Sequence, residues 1–554
     1  MDAMTRRQFL YLLGLTGSGI VLASCAPQSL PPVFAPTPGT GIALRLAGDD
    51  NGYPSPFAFT RGPGYVQMSW IFDTLIWKDS QGIIPWLATN WKLSDDGMTW
   101  AFTLRPEVKW HDGLPLTSED VVFTFDYIKQ FPVLSPFRRG FEYVKSARAT
   151  SDRSVEILLS QPYAAFLINI AGATPIIPKH IWSQVKQPLD CLAPEALIGS
   201  GPYQLISDGR VRDAGTYSAN PSFWLGKPYV QRIELMPVTD ELQSLRDNVL
   251  DGASFPNEHG ITDTMLAPFE KPEFGILTAS GEWQVAIHFN LTQGAPYDQV
   301  KFRRAWAYAI DREQIVKQVL FNRGEAGVPC GIAPSSPWYN PKCESYKYNL
   351  AEANALLDEI GYKDLNNDGV RELPDGRPLA VTLLFDSTRL MGIAEMVRAM
   401  LGKAGIRVTL KPLPRAQVDQ ITSSGDYSVA LIYYGGLGGD PDILRQTYCQ
   451  HNPAQVFSRV WGYRDQRFCE LANQQLSATD ESKRRELILE MQSILARDVP
   501  ALPLYYPTRY WIYRKAVFDN WYYTPGGIAS GPPFTLNKHA FVTGQKRGLQ
   551  IRSW

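Results

Sequence analysis

TWAFTLRPEVKWHDGLPLTSEDVVFTFDYI, residues 99–128, is the stretch whose reading decides the rest. Trp100, Phe102 and Leu104 recur at period two, which predicts a strand with one buried face. His111-Asp112-Gly113 fits a turn, and Thr117 or Ser118 can cap a helix by accepting a bond from a free backbone N–H. Glu119 and Asp120 then sit in the first turn, where the helix dipole favours negative charge by about 0.3–1 kcal/mol each. Thr117-x-x-Asp120 approximates a capping box, and Val121, Val122, Phe125 and Ile128 supply a buried stripe. His111 beside these acids also has the look of acid–base equipment or a metal half-site. The strand–turn–helix reading accounts for the same residues without chemistry.

The chain of 554 residues has room for two to four domain-sized units. Apolar residues make up 44% and charged residues 20%, a globular balance. Lys plus Arg number 54 against 55 acids, and no basic run stands out, so nucleic acid is not expected as a partner. The many aromatic residues suit a large core and concave sites for sugars or peptides.

The N-terminus reads as an address. Thr5-Arg6-Arg7-Gln8-Phe9-Leu10 precedes a short apolar run from Tyr11 to Ala23, which resembles a signal for twin-arginine (Tat) export. Leu22-Ala23-Ser24-Cys25 resembles a bacterial lipobox, which makes Cys25 the expected lipid-bearing first residue of an exported, membrane-anchored lipoprotein in the periplasm or on the outer face of the cell membrane. A retained anchor helix with an incidental cysteine is the alternative. Residues 1–25 would thus be a signal peptide, and the proline-rich residues 26–40 an extended tether. Export permits disulfides. Cys330 and Cys343 flank a Gly/Pro loop and are expected to pair, as are Cys449 and Cys469, leaving Cys191 alone. No CxxC spacing points to zinc.

Beyond the tether, strand-like and helix-like segments alternate. Residues 303–323 place Trp306, Ile310, Val316 and Leu320 on one helical stripe ended by Gly324. Asn349 can cap the helix that follows it. An α/β passage runs through strand 380–385, helix 390–404, strand 407–410 and strand 427–434, which implies parallel pairing by a right-handed crossover. A long helix spans 480–497, and the tail 503–523 is strand-like.

Several segments together resemble one family, the solute-binding proteins of bacterial ABC importers in the peptide/nickel class. They are the quoted stretch, GSGPYQL (199–205), NPSFWLGKPYVQRIELMPVTD (220–240) and HFNLTQGAPYDQVKFRRAWAYAIDREQIV (288–316). The resemblance implies a non-catalytic α/β protein with a two-lobed, type II periplasmic-binding-protein-like fold. Lobe I would comprise 41–283 plus 506–554, with an inserted subdomain at about 76–197, and lobe II 284–505. The hinge crossings fall near Trp283 and Pro507. The partners implied are an ABC permease with its ATPase subunits and a small solute, a peptide or an oligosaccharide, bound by a monomer. No cofactor is required.

Within that frame, YYGGLGGDPDIL (433–444) puts a glycine-rich loop after a strand, where open α/β sheets bind ligands. Peptide-binding relatives carry an ammonium-gripping aspartate three positions ahead of the Asp-Pro pair. This chain has Leu437 there, with Asp440 or Asp442 as substitutes. An oligosaccharide lying on Trp283, Tyr433, Tyr434 or Trp461 is equally compatible, and core packing is the alternative for each aromatic. Six singly scattered histidines neither support nor exclude a chelated metal. Asp364, Asn366, Asp368, the Val370 carbonyl and Asp375 have the spacing of an EF-hand loop for a structural calcium, without the usual Glu at position twelve. The alternative there is an Asx-rich turn. No GxSxG or HExxH stretch supports the competing class, a secreted carbohydrate-active hydrolase; a sensor uncoupled from transport is a third.

Overall fold

The structure is a computed structural model that describes residues 41–48, 51–59, 62–80, 82–131, 140–207, 215–255, 259–280, 283–435, 440–449, 460–522 and 537–546. The export signal, Cys25, the tether and Leu437 lie outside the described residues. Among the described residues no helix is long and apolar enough to cross a membrane.

The quoted stretch forms strand β1 (Thr99–Leu104), a turn and helix α1 (Ser118–Gln130). β1 lies in a four-stranded antiparallel sheet beside β2 (Ser154–Leu159), with Ala88–Leu93 and Val144–Ser151 outside them. Trp100, Phe102 and Leu104 are buried together with Val121, Phe125 and Ile128, because the period-two face of the strand meets the helical stripe. The Thr117 N–H donates to Asp120 Oδ2 at 2.9 Å, and Asp120 Oδ1 accepts the Lys179 N–H at 2.9 Å. Asp120 therefore closes the helix start and anchors the next segment at once. His111 is structural as well. Its Nε2 lies 2.9 Å from the Gly201 carbonyl and its Nδ1 accepts the Gly199 N–H at 3.3 Å. Burial holds its pKa below the ordinary histidine value, and the ring is neutral. The turn of the quoted stretch is thus tied to GSGPYQL. A Cβ on Gly199 or Gly201 would fall 2.0 or 2.5 Å from the Ile71 carbonyl oxygen, so both positions need glycine.

The chain passes from β3 (Phe274–Ala279) to β4 (Trp283–Phe289) and so from one sheet to another. Next comes a pair of helices, α2 (Val300–Ala309) and α3 (Arg312–Val319), where one continuous helix was expected. The break is at Asp311, whose side chain accepts the Gln314 N–H at 2.9 Å and starts a new helix. Trp306, Ile310 and Leu320 remain fully buried across it, which is why the stripe is continuous in the sequence although the helix is not. Then follow β5 (Ala380–Asp386), α4 (Met391–Gly402), β6 (Arg407–Leu413) and β7 (Val429–Gly435). β5 pairs parallel with both β6 and β7, and β4 antiparallel with β7. Helices α5 (Gln466–Ser477) and α6 (Glu481–Asp498) lead to β8 (Ala501–Pro507), which completes this six-stranded sheet beside β4. β9 (Arg509–Arg514) returns to the three-stranded sheet of β3. Each crossing thus takes only a few residues between paired strands.

Cys449 and Cys469 are bonded, with Cα atoms 5.6 Å apart. Cys330 and Cys343, expected to pair, are both free cysteines in the structure, and Cys330 Sγ donates to the Ile332 carbonyl at 3.3 Å. The loop between them is held instead by Asn340. Its N–H donates to Gln492 Oε1 at 2.9 Å, and its amide to the Leu489 carbonyl at 2.8 Å and Ser493 Oγ at 3.0 Å. Docking on α6 closes the loop without a covalent bond.

Candidate ligand-binding edge

The carboxyl ends of β5 and β7 form the sheet edge where the crossing strand β4 begins, with Trp283 paired to Gly435. Trp283 stacks on Tyr433, ring centroids 4.9 Å apart and planes 23° from parallel, and the Arg509 guanidinium carbon lies 5.7 Å from the Trp283 ring. A Cβ at position 435 would sit 2.3 Å from that indole, so the glycine makes room for the ring. Tyr434 points to the opposite face, as strand alternation requires. Its hydroxyl meets the Gln284 amide and lies 3.3 Å from His288 Nε2, and burial pushes its pKa well up. The aromatic platform at this edge is therefore a tight packed unit of Trp283, Tyr433 and Arg509.

Asp440 and Asp442 continue the loop but are engaged inside their own half of the molecule. Asp440 accepts two bonds from Arg484, at 2.7 and 2.5 Å. Asp442 accepts from Arg445 at 2.6 and 2.8 Å, from Gln446 at 2.8 Å and from Gln475 at 2.7 Å. Gln475 Oε1 in turn accepts from Arg484 at 2.9 and 3.0 Å, and all of these groups are buried. Two carboxylates face two guanidiniums, a neutral and crowded network. Gln475 and Arg484 escape a reading of the sequence because they stand 33 and 44 positions from the aspartates they meet, whereas Arg445 follows Asp442 by only three.

Trp461 is not brought to this edge. Its carbonyl accepts the Leu291 N–H at 2.9 Å and its Nε1 donates to the Thr422 carbonyl at 2.8 Å, beyond the far end of β4. The seven residues of β4 put roughly 20 Å between the two ends.

The acidic loop closes largely on itself. The N–H groups of Asp368 and Gly369 donate to Asp364, and that of Val370 to Asp368, at 2.8–3.2 Å. Asn366 Oδ1 accepts the Asp368 N–H at 2.8 Å. The expected twelfth-position ligand, Asp375, is turned toward Arg377, which donates to it at 2.8 Å. Glu372 takes the inward place: it accepts from Leu365 N–H and Asn366, and its carboxylate converges with those of Asp364 and Asp368 within 4.8 Å.

Residues 82–455 match the family described as bacterial extracellular solute-binding proteins, family 5 middle region. The chain belongs to that family. Its members are solute-binding proteins of the extracytoplasmic space. A dipeptide-binding protein of Escherichia coli K12 is 26% identical over 471 residues, covering 78% of this chain and 83% of the relative. NikA from Brucella suis, solved with Fe(III)-EDTA, superposes with a TM-score of 0.76 at 22% identity, over 89% of this chain and 99% of the other. A mannohexaose-bound periplasmic oligopeptide-binding protein of Thermotoga maritima gives 0.72 at 24% identity, over 91% and 99%. This family member shares the two-lobed α/β fold of the type II periplasmic binding proteins.

Proposed function

We propose that the protein is a lipid-anchored binding protein that captures a peptide-like or oligosaccharide-like solute between two lobes and delivers it to an ABC permease and its ATPase subunits. The observation that carries this is the pair of strand crossings, Ala279 to Trp283 and Pro507 to Arg509, which run side by side at the aromatic edge with Ser280 Oγ 3.2 Å from Thr508 Oγ1. Short connections between two sheets are hinge elements, and closure about them encloses whatever lies at the edge. In this reading lobe I comprises 41–283 plus 506–554 and lobe II 284–505, divided at those crossings. Cys25 carries the anchor in this reading, and the expected Cys25→Ala outcome is release of the protein from the membrane fraction.

The engagement of Asp440 and Asp442 bears on the solute. Carboxylates already saturated by arginines do not grip a peptide's ammonium, and Leu437 replaces the aspartate that peptide-binding relatives use. The solute is accordingly held by hydroxyl or backbone groups. Titration calorimetry with trialanine, N-acetyl-trialanine and mannohexaose tests this. Comparable affinity for blocked and free peptide, or binding of the hexasaccharide, is the expected result. Tight binding of free trialanine alone, abolished by acetylation, would refute the ammonium-independent grip.

A further inference from the structure

The inserted subdomain reaches the second lobe through a compact patch. The Ala164 N–H donates to the Leu476 carbonyl at 2.6 Å. Leu476 belongs to α5, yet its side chain is 1% exposed and packs in the buried cluster of the first lobe with Trp100, Tyr163, Ala165 and Phe166. Beside it the Arg445 guanidinium lies 5.9 Å from the Tyr143 ring. A Cβ on Gly97 would meet the side chains of Pro162 at 3.3 Å and Thr479 at 3.7 Å, so Gly97 lies close to both. Next to this packed patch a cavity of about 780 Å³ opens between Tyr143 and Gln161 on one side and Gln474, Ser477 and Lys483 on the other.

From this geometry we infer that the inserted subdomain is a latch for lobe closure, with Leu476 as its bolt and the Arg445–Tyr143 contact as its second point. The inference rests on the solute-capture reading above. A hinge alone leaves the lobes free to part. Withdrawing Leu476 from the first-lobe core exposes a whole leucine side chain to water, a cost that holds the closed form. Leu476 acts on solute affinity through the closed population and touches no solute, so it is a positioning residue. The same Arg445 guanidinium also holds Asp442, so the second point is fixed within the second lobe. The stretch that identifies the family thus builds the keeper into which the bolt slides: Trp100 and Phe102 of β1 stack with Phe166 of the Leu476 pocket or tilt onto it.

Amide hydrogen exchange of the Ala164 N–H, measured without solute, reports the latch directly. In Leu476→Ala that amide is expected to exchange at least about tenfold faster, while the β4 core amides Val285 to Phe289 keep their rates. Leu476→Met is expected to restore the parent rate. Mannohexaose or trialanine affinity, read on the same three proteins by calorimetry, is expected to fall at least about tenfold in Leu476→Ala and to recover in Leu476→Met. Unchanged Ala164 exchange, or acceleration only in step with the β4 amides, would overturn the latch. So would a clear exchange effect with unaltered affinity. A parent protein that binds neither probe would count against the proposed solute classes, and the exchange measurement would still decide the latch.

Discussion

Breaking the Arg484–Asp440 pair should cost far more than breaking an ion pair at the surface. Arg484 makes four bonds, two to Asp440 at 2.7 and 2.5 Å and two to Gln475 Oε1 at 3.0 and 2.9 Å. The side chains of the pair are 8% and 4% exposed. In Arg484→Met the Asp440 carboxylate keeps the Asp442 N–H at 2.8 Å and loses its countercharge in a buried site. Removing one partner of such a pair costs about 3–5 kcal/mol, because the remaining charge is left desolvated and unneutralised. At roughly 2–4 °C per kcal/mol for a unit of this size, melting should fall by roughly 6–20 °C. The double variant Asp440→Asn/Arg484→Met removes the orphaned charge and should recover much of that loss. The exposed pair Arg148–Glu156, with 74% and 30% exposure, is the control, and Arg148→Ala should cost under about 1 kcal/mol. Melting followed by intrinsic fluorescence reads all four proteins. A shift below about 2 °C in Arg484→Met, or a double variant no more stable than the single one, would refute the saturated-carboxylate account.

Acid should weaken the fold through two histidines. Burial holds the pKa of both His111 and His539 below the ordinary histidine value of about 6.5. As pH falls through about 6.5 the unfolded chain takes up protons the folded rings refuse, so stability is full above that value and declines below it. Melting temperature at pH 7.5 should exceed that at pH 5.5, and His539→Phe should flatten the difference; an unchanged slope would count against burial as the cause. Among the described cysteines, Cys330 is buried while Cys191 and Cys343 are partly open. Maleimide should therefore label Cys191 and Cys343 in the native protein and Cys330 only on unfolding, whereas a 330–343 cross-linked peptide in a non-reducing digest would contradict the thiol state. Chelation with EDTA should leave the melting temperature in place, because side chains of the 364–375 loop already satisfy its turn N–H groups. A fall reversed by Ca²⁺ would show that Asp364, Asp368 and Glu372 hold an ion.

Local chemistry carried the elements that the sequence made legible. The period-two face of residues 99–104, the Asp120 closure of α1 and the Asn349 cap, which accepts the Glu352 N–H at 3.2 Å, each depend on residues a few positions apart. The crossover 380–435 was readable because parallel pairing leaves a strand–helix–strand rhythm. Asp311 shows the limit, since a buried stripe continues through a helix break that one capping side chain creates. The site was less legible. Trp283 and Tyr433 meet because β4 and β7 pair across 150 residues, Trp461 leaves because its segment docks at the other end of the same strand, and Gln475 and Arg484 reach Asp442 and Asp440 from helices with no matching motif. Glu372 displaces Asp375 in the acidic loop because Arg377 captures the latter, a choice set by a neighbour two residues on.

Small-angle X-ray scattering with and without the tightest-binding of the three probes tests the central claim most directly. Enclosure of a solute between hinged lobes predicts that a saturating amount of that probe shifts the scattering profile to a more compact particle than the solute-free population, with a smaller radius of gyration. Saturation confirmed by calorimetry with superposable scattering curves would contradict capture by lobe closure.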